Sequence, residues 1–165
     1  MDFVNTLAID RPVSEVFAFV SDPENLARWN YYVMSCTKLE AGPLQIGSTY
    51  RMVRKSDTRV LAVTELEQDR SLVVQFQSPS PPLKMSFTVE PTATGTRLSD
   101  ERELSGILGF VGGFAGAPIQ KAARQNLEKL KELLEVGRTE LQDGRVERYL
   151  STGTKPSGNA GPVNQ

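Results

Sequence analysis

Apolar residues along this chain alternate, then repeat at helical spacing, then alternate again. Residues 3–9 are rich in β-branched and apolar side chains without a helical period, which predicts a first strand. Pro12 ends that strand and suits a helix start, after which Val13, Val16, Phe17 and Val20 recur at the three-and-four spacing of one helical face. Asp22 and Pro23 repeat the start signal, a capping side chain followed by a ring already at helical φ. Leu26 and Trp29 then give a second short helix its inner side. From Val33 to Leu104, apolar runs are separated by turn formers at 42–43, 56–57, 68–70, 78–82 and 94–95, which reads as a meander of antiparallel strands.

Parity within those runs shows one dry face. Tyr50 and Met52 share a side, as do Leu72, Val74 and Phe76. Leu83, Met85, Phe87 and Val89 alternate with Lys84, Ser86, Thr88 and Glu90. A sheet with one apolar face needs a cover. Residues 118–135 supply it: Ile119, Ala122, Ala123, Leu127, Leu130, Leu133 and Leu134 form a stripe, with Arg124, Glu128, Lys131, Glu132 and Glu135 on the other side. Such a helix is roughly 27 Å long at about 1.5 Å per residue, enough to cross the sheet. Beyond Gly137 the chain is charged and then rich in Gly, Ser, Thr, Pro and Asn. The expected division is a domain over 1–137 and a polar, flexible tail without its own core over 138–165, with at most an extra helical turn between Arg145 and Leu150.

Composition narrows the function. At 165 residues the chain suits one domain, and nineteen basic against twenty acidic side chains leave no electrostatic footprint for nucleic acid. The chain contains no histidine, so triads, imidazole bases and most metal sites are ruled out, and neither a cofactor nor a metal is expected. A lone Cys36 and an N-terminus without a secretory pattern suggest a cytoplasmic protein, monomer or homodimer. Cys36 reads as a small buried apolar residue.

The run after β-patterned residues 96–104 contains Gly109, Gly112, Gly113 and Gly116 but neither a phosphate-loop nor a dinucleotide fingerprint. Its uncharged span between Glu103 and Lys121 is broken by glycines and Pro118, and no membrane span is expected. Two readings of it stand: a lid carrying Phe110 and Phe114, or plain loop packing.

Several stretches carry a family resemblance. Ile9 to Phe17, then Asp22, Pro23, Glu24, Asn25, Leu26 and Trp29, resemble the opening signature of the bacterial polyketide cyclase/dehydrase-like branch of the START/Bet v 1-like (SRPBCC) superfamily. Gly47 before Tyr50, Gly95 and Thr96 before Leu98, and Leu127, Leu130, Lys131 and Leu134 also fit, so the likeness covers about residues 1–135. It implies an α+β helix-grip fold: a curved antiparallel sheet of six to seven strands, two short helices and one long C-terminal helix. It further implies a cavity between sheet and helix that takes a small hydrophobic molecule such as a lipid or polyketide. Curvature supports that inference independently, since a bent sheet and a straight rod diverge between their contacts. Ala122, Ala123 and the small residues of 106–118 place the expected mouth at the start of the helix.

Candidate ligand contacts follow. Phe76, Met85 and Phe87 supply apolar surface, with Tyr50 and Met52 on the same face; Trp29 serves packing more than contact, and of Tyr31 and Tyr32 one faces inward, with Tyr32 the candidate. Arg54, Asp100 and Arg102 have inward parity that conflicts with their charge. Either Asp100 and Arg102 pair or the residues snorkel at strand ends, or all three recognise the polar end of a greasy ligand; a bulge in these strands would reverse the assignment. Two functions are consistent with this pattern: binding or carriage of a small hydrophobic molecule, and an aromatase/cyclase or dehydratase acting on a polyketide-like substrate. No catalytic residue is singled out.

Overall fold

The computed structural model describes residues 2–77, 82–104 and 116–151. Strand β1 (Asp2–Ile9) leads into helix α1 (Val13–Val20) and a 3-10 helix (Pro23–Arg28). Strands β2 (Val33–Lys38), β3 (Thr49–Arg54), β4 (Thr58–Glu67), β5 (Ser71–Phe76), β6 (Leu83–Pro91) and β7 (Thr96–Leu104) follow. Helix α2 (Gly116–Val136) and a hairpin of β8 (Arg138–Glu140) and β9 (Val146–Arg148) complete it. The second short helix takes the tighter 3-10 form, with the Asp22 carboxylate accepting from the Glu24 N–H at 3.0 Å.

All seven main strands form one antiparallel sheet in the order β1-β7-β6-β5-β4-β3-β2, so the first strand closes against the last of the meander. Register shifts occur in β2 between Val33 and Ser35 and in β4 between Val63 and Glu65. Strand β7 pairs on both sides, and β3 pairs with β4, without such a shift, and the extra residue opposite Arg54 and Val53 belongs to β2, so the inward parity of Arg54, Asp100 and Arg102 stands. This is the α+β helix-grip architecture, with α2 laid on the concave face.

The packed core occupies one end of that face. Ile9, Tyr50, Leu72, Val89 and Leu98 stand at the strand ends nearest α1 and are all but inaccessible, and Trp29 meets Phe87 edge-on at 6.1 Å between ring centroids. The tight β6–β7 turn needs Gly95 here, because a Cβ would lie 2.3 Å from the Ile9 carbonyl oxygen. Thr96 then donates its hydroxyl to the Arg11 carbonyl at 2.7 Å and locks the turn to the β1–α1 corner.

Helix α2 buries Ala123, Leu127, Leu130, Leu133 and Leu134, as the stripe predicts, whereas Ile119 is 46% exposed, so the first turns stand clear of the core. Side chains of α2 also reach the unpaired edge of β1: Gln120 and Arg124 donate to the Val4 and Thr6 carbonyls, both at 3.4 Å, and Lys131 donates to that of Ala8. An edge occupied in this way is a poor template for another strand.

The expected coreless tail from residue 138 requires correction. Residues 138–148 form a hairpin in which Thr139 and Leu141 are buried, and the Tyr149 ring packs edge-on against Phe19 at 5.2 Å. No helical turn forms at 145–150, because Val146–Arg148 pairs with Arg138–Glu140. Residues 152–165 lie outside the described part of the chain.

Candidate functional site

Following each inner-face strand away from the packed end leads to a cavity of about 440 Å³. Its sheet wall comes from one end of five strands: Phe3 at the start of β1, Met52 and Arg54 at the end of β3, Phe76 closing β5, Leu83 and Met85 opening β6, and Arg102 late in β7. The helix contributes Pro118, Ile119, Ala122, Ala123 and Asn126 from its first turns. Alanines there keep the rod from filling the gap, which is the volume argument made from the sequence. Between the 3-10 helix and β2, Leu26, Asn30, Tyr32 and Val33 close the remaining side.

The lining of this space is mostly apolar. Leu26, Val33, Met52, Phe76, Met85 and Ala123 are buried and form an apolar interior, while Tyr32 and Ile119, each 46% exposed, mark the opening. Arg54 is fixed by Asp57, with Nε to Oδ1 at 2.6 Å and Nη2 to Oδ2 at 2.7 Å. Arg59 holds the same carboxylate at 2.6 Å, and the bonds from both guanidiniums keep the Asp57 carboxyl well below the usual carboxylate range. On the opposite wall Arg102 donates to Asp100 through Nε at 3.1 Å and Nη2 at 3.0 Å. Asp100 is 0% exposed and lies behind Arg102, which itself keeps 14% of its side-chain surface accessible. Pairing of these two, one of the alternatives from parity, is what the geometry shows.

Two buried amides cross from the helix to the opposite wall. Asn126 donates through Nδ2 to Asn30 Oδ1 at 3.1 Å and accepts the Tyr31 backbone N–H on Oδ1 at 3.1 Å. Asn30 Oδ1 also accepts the Tyr32 N–H at 3.0 Å. These bonds fix α2 to the segment that frames the opening.

Of the residues singled out from sequence, Tyr32, Met52, Arg54, Phe76, Met85 and Arg102 line the cavity. Trp29, Tyr50 and Phe87 do not: they share the inner face but sit in the packed end. Asp100 supports Arg102 from behind, and Phe110 and Phe114 lie outside the described residues. Tyr31 turns away, its ring under the Lys55 ammonium at 4.5 Å, so Tyr32 is the member of that pair on the cavity. Sequence reasoning missed Phe3, Leu26, Val33 and the Asn30–Asn126 pair. Phe3 had a signal, since it shares the parity of Ile9 on β1. The amide pair had none, being brought together across ninety-six positions by the fold.

Cys36 is buried, and desolvation followed by the Glu24 and Asp22 charges pushes its thiol up to about 12, which leaves it inert. Among the described residues no helix is long and apolar enough to cross a membrane.

Comparison with known proteins agrees with this architecture. Residues 1–135 match the family model described as polyketide cyclase/dehydrase and lipid transport. Among solved structures, a protein from Nitrosomonas europaea superposes with a TM-score of 0.66 at 16% identity, over 82% of this chain and 95% of that one. The Aha1 dimer from Colwellia psychrerythraea gives 0.64 at 18% identity, over 83% and 98%. DynU16, from the dynemicin biosynthetic locus, gives 0.65 at 20% identity, over 82% of this chain and 48% of its own length. At these identities the likeness is one of fold. No curated protein matches the sequence.

Proposed function

The chain belongs to the polyketide cyclase/dehydrase and lipid transport family, and from that premise we propose that it binds and carries a small hydrophobic molecule in the cavity between sheet and α2. The observation that supports this reading is the make-up of the wall, in which Leu26, Val33, Met52, Phe76 and Met85 are buried apolar side chains and Arg54 and Arg102 are the charged residues among the described lining. Its volume falls in the range of small-molecule sites. The molecule would lie with its apolar body against Phe76 and Met85, whose flexible thioether adapts to shape, and its polar end near Tyr32, Arg54 and Arg102.

A second reading, cyclase or dehydratase action on a polyketide-like substrate, draws on Arg102. A guanidinium held against the wall by Asp100 is placed to stabilise an enolate oxygen. That cycle also needs a proton carrier, and the described lining offers for it the Tyr32 phenol at the opening, with no carboxylate, lysine or thiol among the described lining residues. Carriage requires less of this wall than catalysis does.

Native mass spectrometry of protein purified from its own host tests the proposal. A bound species of reproducible mass, released on unfolding, is the expected result. Protein that emerges bare and also fails to enhance the fluorescence of an anilinonaphthalene dye refutes it.

A further inference from the structure

Resting on that reading of the cavity, we propose that the molecule it holds carries a carbonyl-type acceptor oxygen where it meets the Asn30–Asn126 bridge, and that Asn30 is the residue selecting for it. Asn30 is only 6% exposed, yet it lines the cavity. Its Oδ1 is engaged twice, by the Tyr32 N–H at 3.0 Å and by Asn126 Nδ2 at 3.1 Å, and both partners are donors. The oxygen and nitrogen of the Asn30 amide are thereby assigned by their neighbours. That leaves Nδ2, which donates to no described residue. The sealed side-chain atoms lacking a partner among the described residues are Arg11 Nε and Thr139 Oγ1, so Asn30 Nδ2 is not walled in and its open side is the cavity.

Most of the lining that this donor shares is apolar, with Leu26, Val33, Met52 and Ala123 among its buried members. A plain hydrocarbon seated there strands an N–H in a dry space, whereas a ligand carbonyl satisfies it. The donor is also rigid, because its amide plane is set by two bonds on the other atom and by Asn126, itself anchored on the Tyr31 N–H. A fixed donor in an oily wall discriminates by chemistry as well as by shape. Together with Arg102 and Arg54 elsewhere on the wall, it favours a molecule oxygenated at two places over a simple alkyl chain.

Benzophenone and diphenylmethane make the test, since they differ by a carbonyl against a methylene. Displacement of a bound anilinonaphthalene dye gives both dissociation constants. In Asn30→Asp the side chain still accepts from Tyr32 and Asn126 but offers no N–H, and the ratio of the two constants moves against benzophenone by about tenfold. Tyr31→Phe, which removes a hydroxyl from a ring that lies outside the cavity against Lys55, leaves that ratio in place. The wild-type protein gives an independent reading through infrared spectroscopy, in which the carbonyl stretch of bound benzophenone shifts to lower frequency than in a hydrocarbon solvent. A ratio unchanged in Asn30→Asp, or a stretch at its hydrocarbon position, overturns the role of Asn30 while leaving the cavity reading intact. Failure of both compounds to bind the wild type overturns the cavity reading and this inference together.

Discussion

Asp100 has no accessible surface, and the guanidinium at 3.0 Å is what makes its burial tolerable. The pair is asymmetric, because Arg102 keeps some contact with the cavity. Removing the charge of Asp100 therefore costs less than the full figure for a sealed ion pair. Asp100→Asn is expected to destabilise the fold by about 3 kcal/mol, at the low end for breaking a buried pair, as measured by urea denaturation. Residue parity explains how these positions were legible. Strand alternation assigns a face, and it correctly turned Met52, Arg54, Phe76, Met85 and Arg102 inward. Parity says nothing about distance along the strand, so Tyr50 and Phe87 were given the same face and the same role although they sit two residues nearer the packed end than Met52 and Met85.

At the scale of elements, the hairpin β8–β9 lies beyond the matched residues 1–135 and still supports the site. Arg145 inserts its guanidinium beneath the segment that frames the opening, donating to the carbonyls of Val33 at 2.8 Å, Tyr31 at 2.9 Å and Ala27 at 3.2 Å. Asp143 orients it through Nε at 2.9 Å and binds Lys55 Nζ at 2.8 Å. Those hydrogen bonds, from Lys55 first and Arg145 second, hold the Asp143 carboxyl below the usual carboxylate range. A carboxylate depressed in the folded state adds stability that is complete above its unfolded pKa of about 3.9 and is lost as pH falls through the lower folded value. The stability difference between wild type and Asp143→Asn should accordingly be widest above about pH 5 and narrow toward pH 2; a gap that is constant with pH contradicts the assignment. The sequence did contain a signal for this hairpin. Asp143-Gly144 is a strong turn dipeptide, and Gly144 adopts φ of +84°. Charged flanks hid it, because the hairpin's anchor is a half-buried arginine and its strands carry almost no apolar alternation.

Taken whole, the molecule divides its concave face into a part that is filled and a part that is open, and strands β1, β3, β5, β6 and β7 run through both. Long helix, strand meander and a dry inner face were readable from periodicity, the curvature of the sheet from the family resemblance, and the position of the gap from the small side chains of Ala122 and Ala123. What periodicity could not supply was the cross-chain wiring that frames the gap, since Asn30, Asn126 and Arg145 act through partners fixed only by the fold. An open part has a thermodynamic consequence. Side chains lining the void lack contacts that a filled core provides, so the unliganded protein is less stable than its apolar content allows. Ala123 is the place to test this, being buried, on the rigid part of α2 and facing the cavity. Ala123→Leu adds apolar volume to an existing gap and is expected to raise the stability of the empty protein by about 1 kcal/mol, after some loss to imperfect packing. Ligand occupies the same volume, so its contribution should disappear. Wild type at a hundredfold excess of ligand over its Kd gains about 2.7 kcal/mol, and a variant whose Kd is raised a hundredfold gains only about 0.4 kcal/mol under the same conditions. Thermal unfolding with and without the ligand released from native protein measures both effects. A stabilised variant that no longer responds to ligand places the binding volume beside Ala123, whereas a variant that responds as the wild type does puts the molecule elsewhere on the protein.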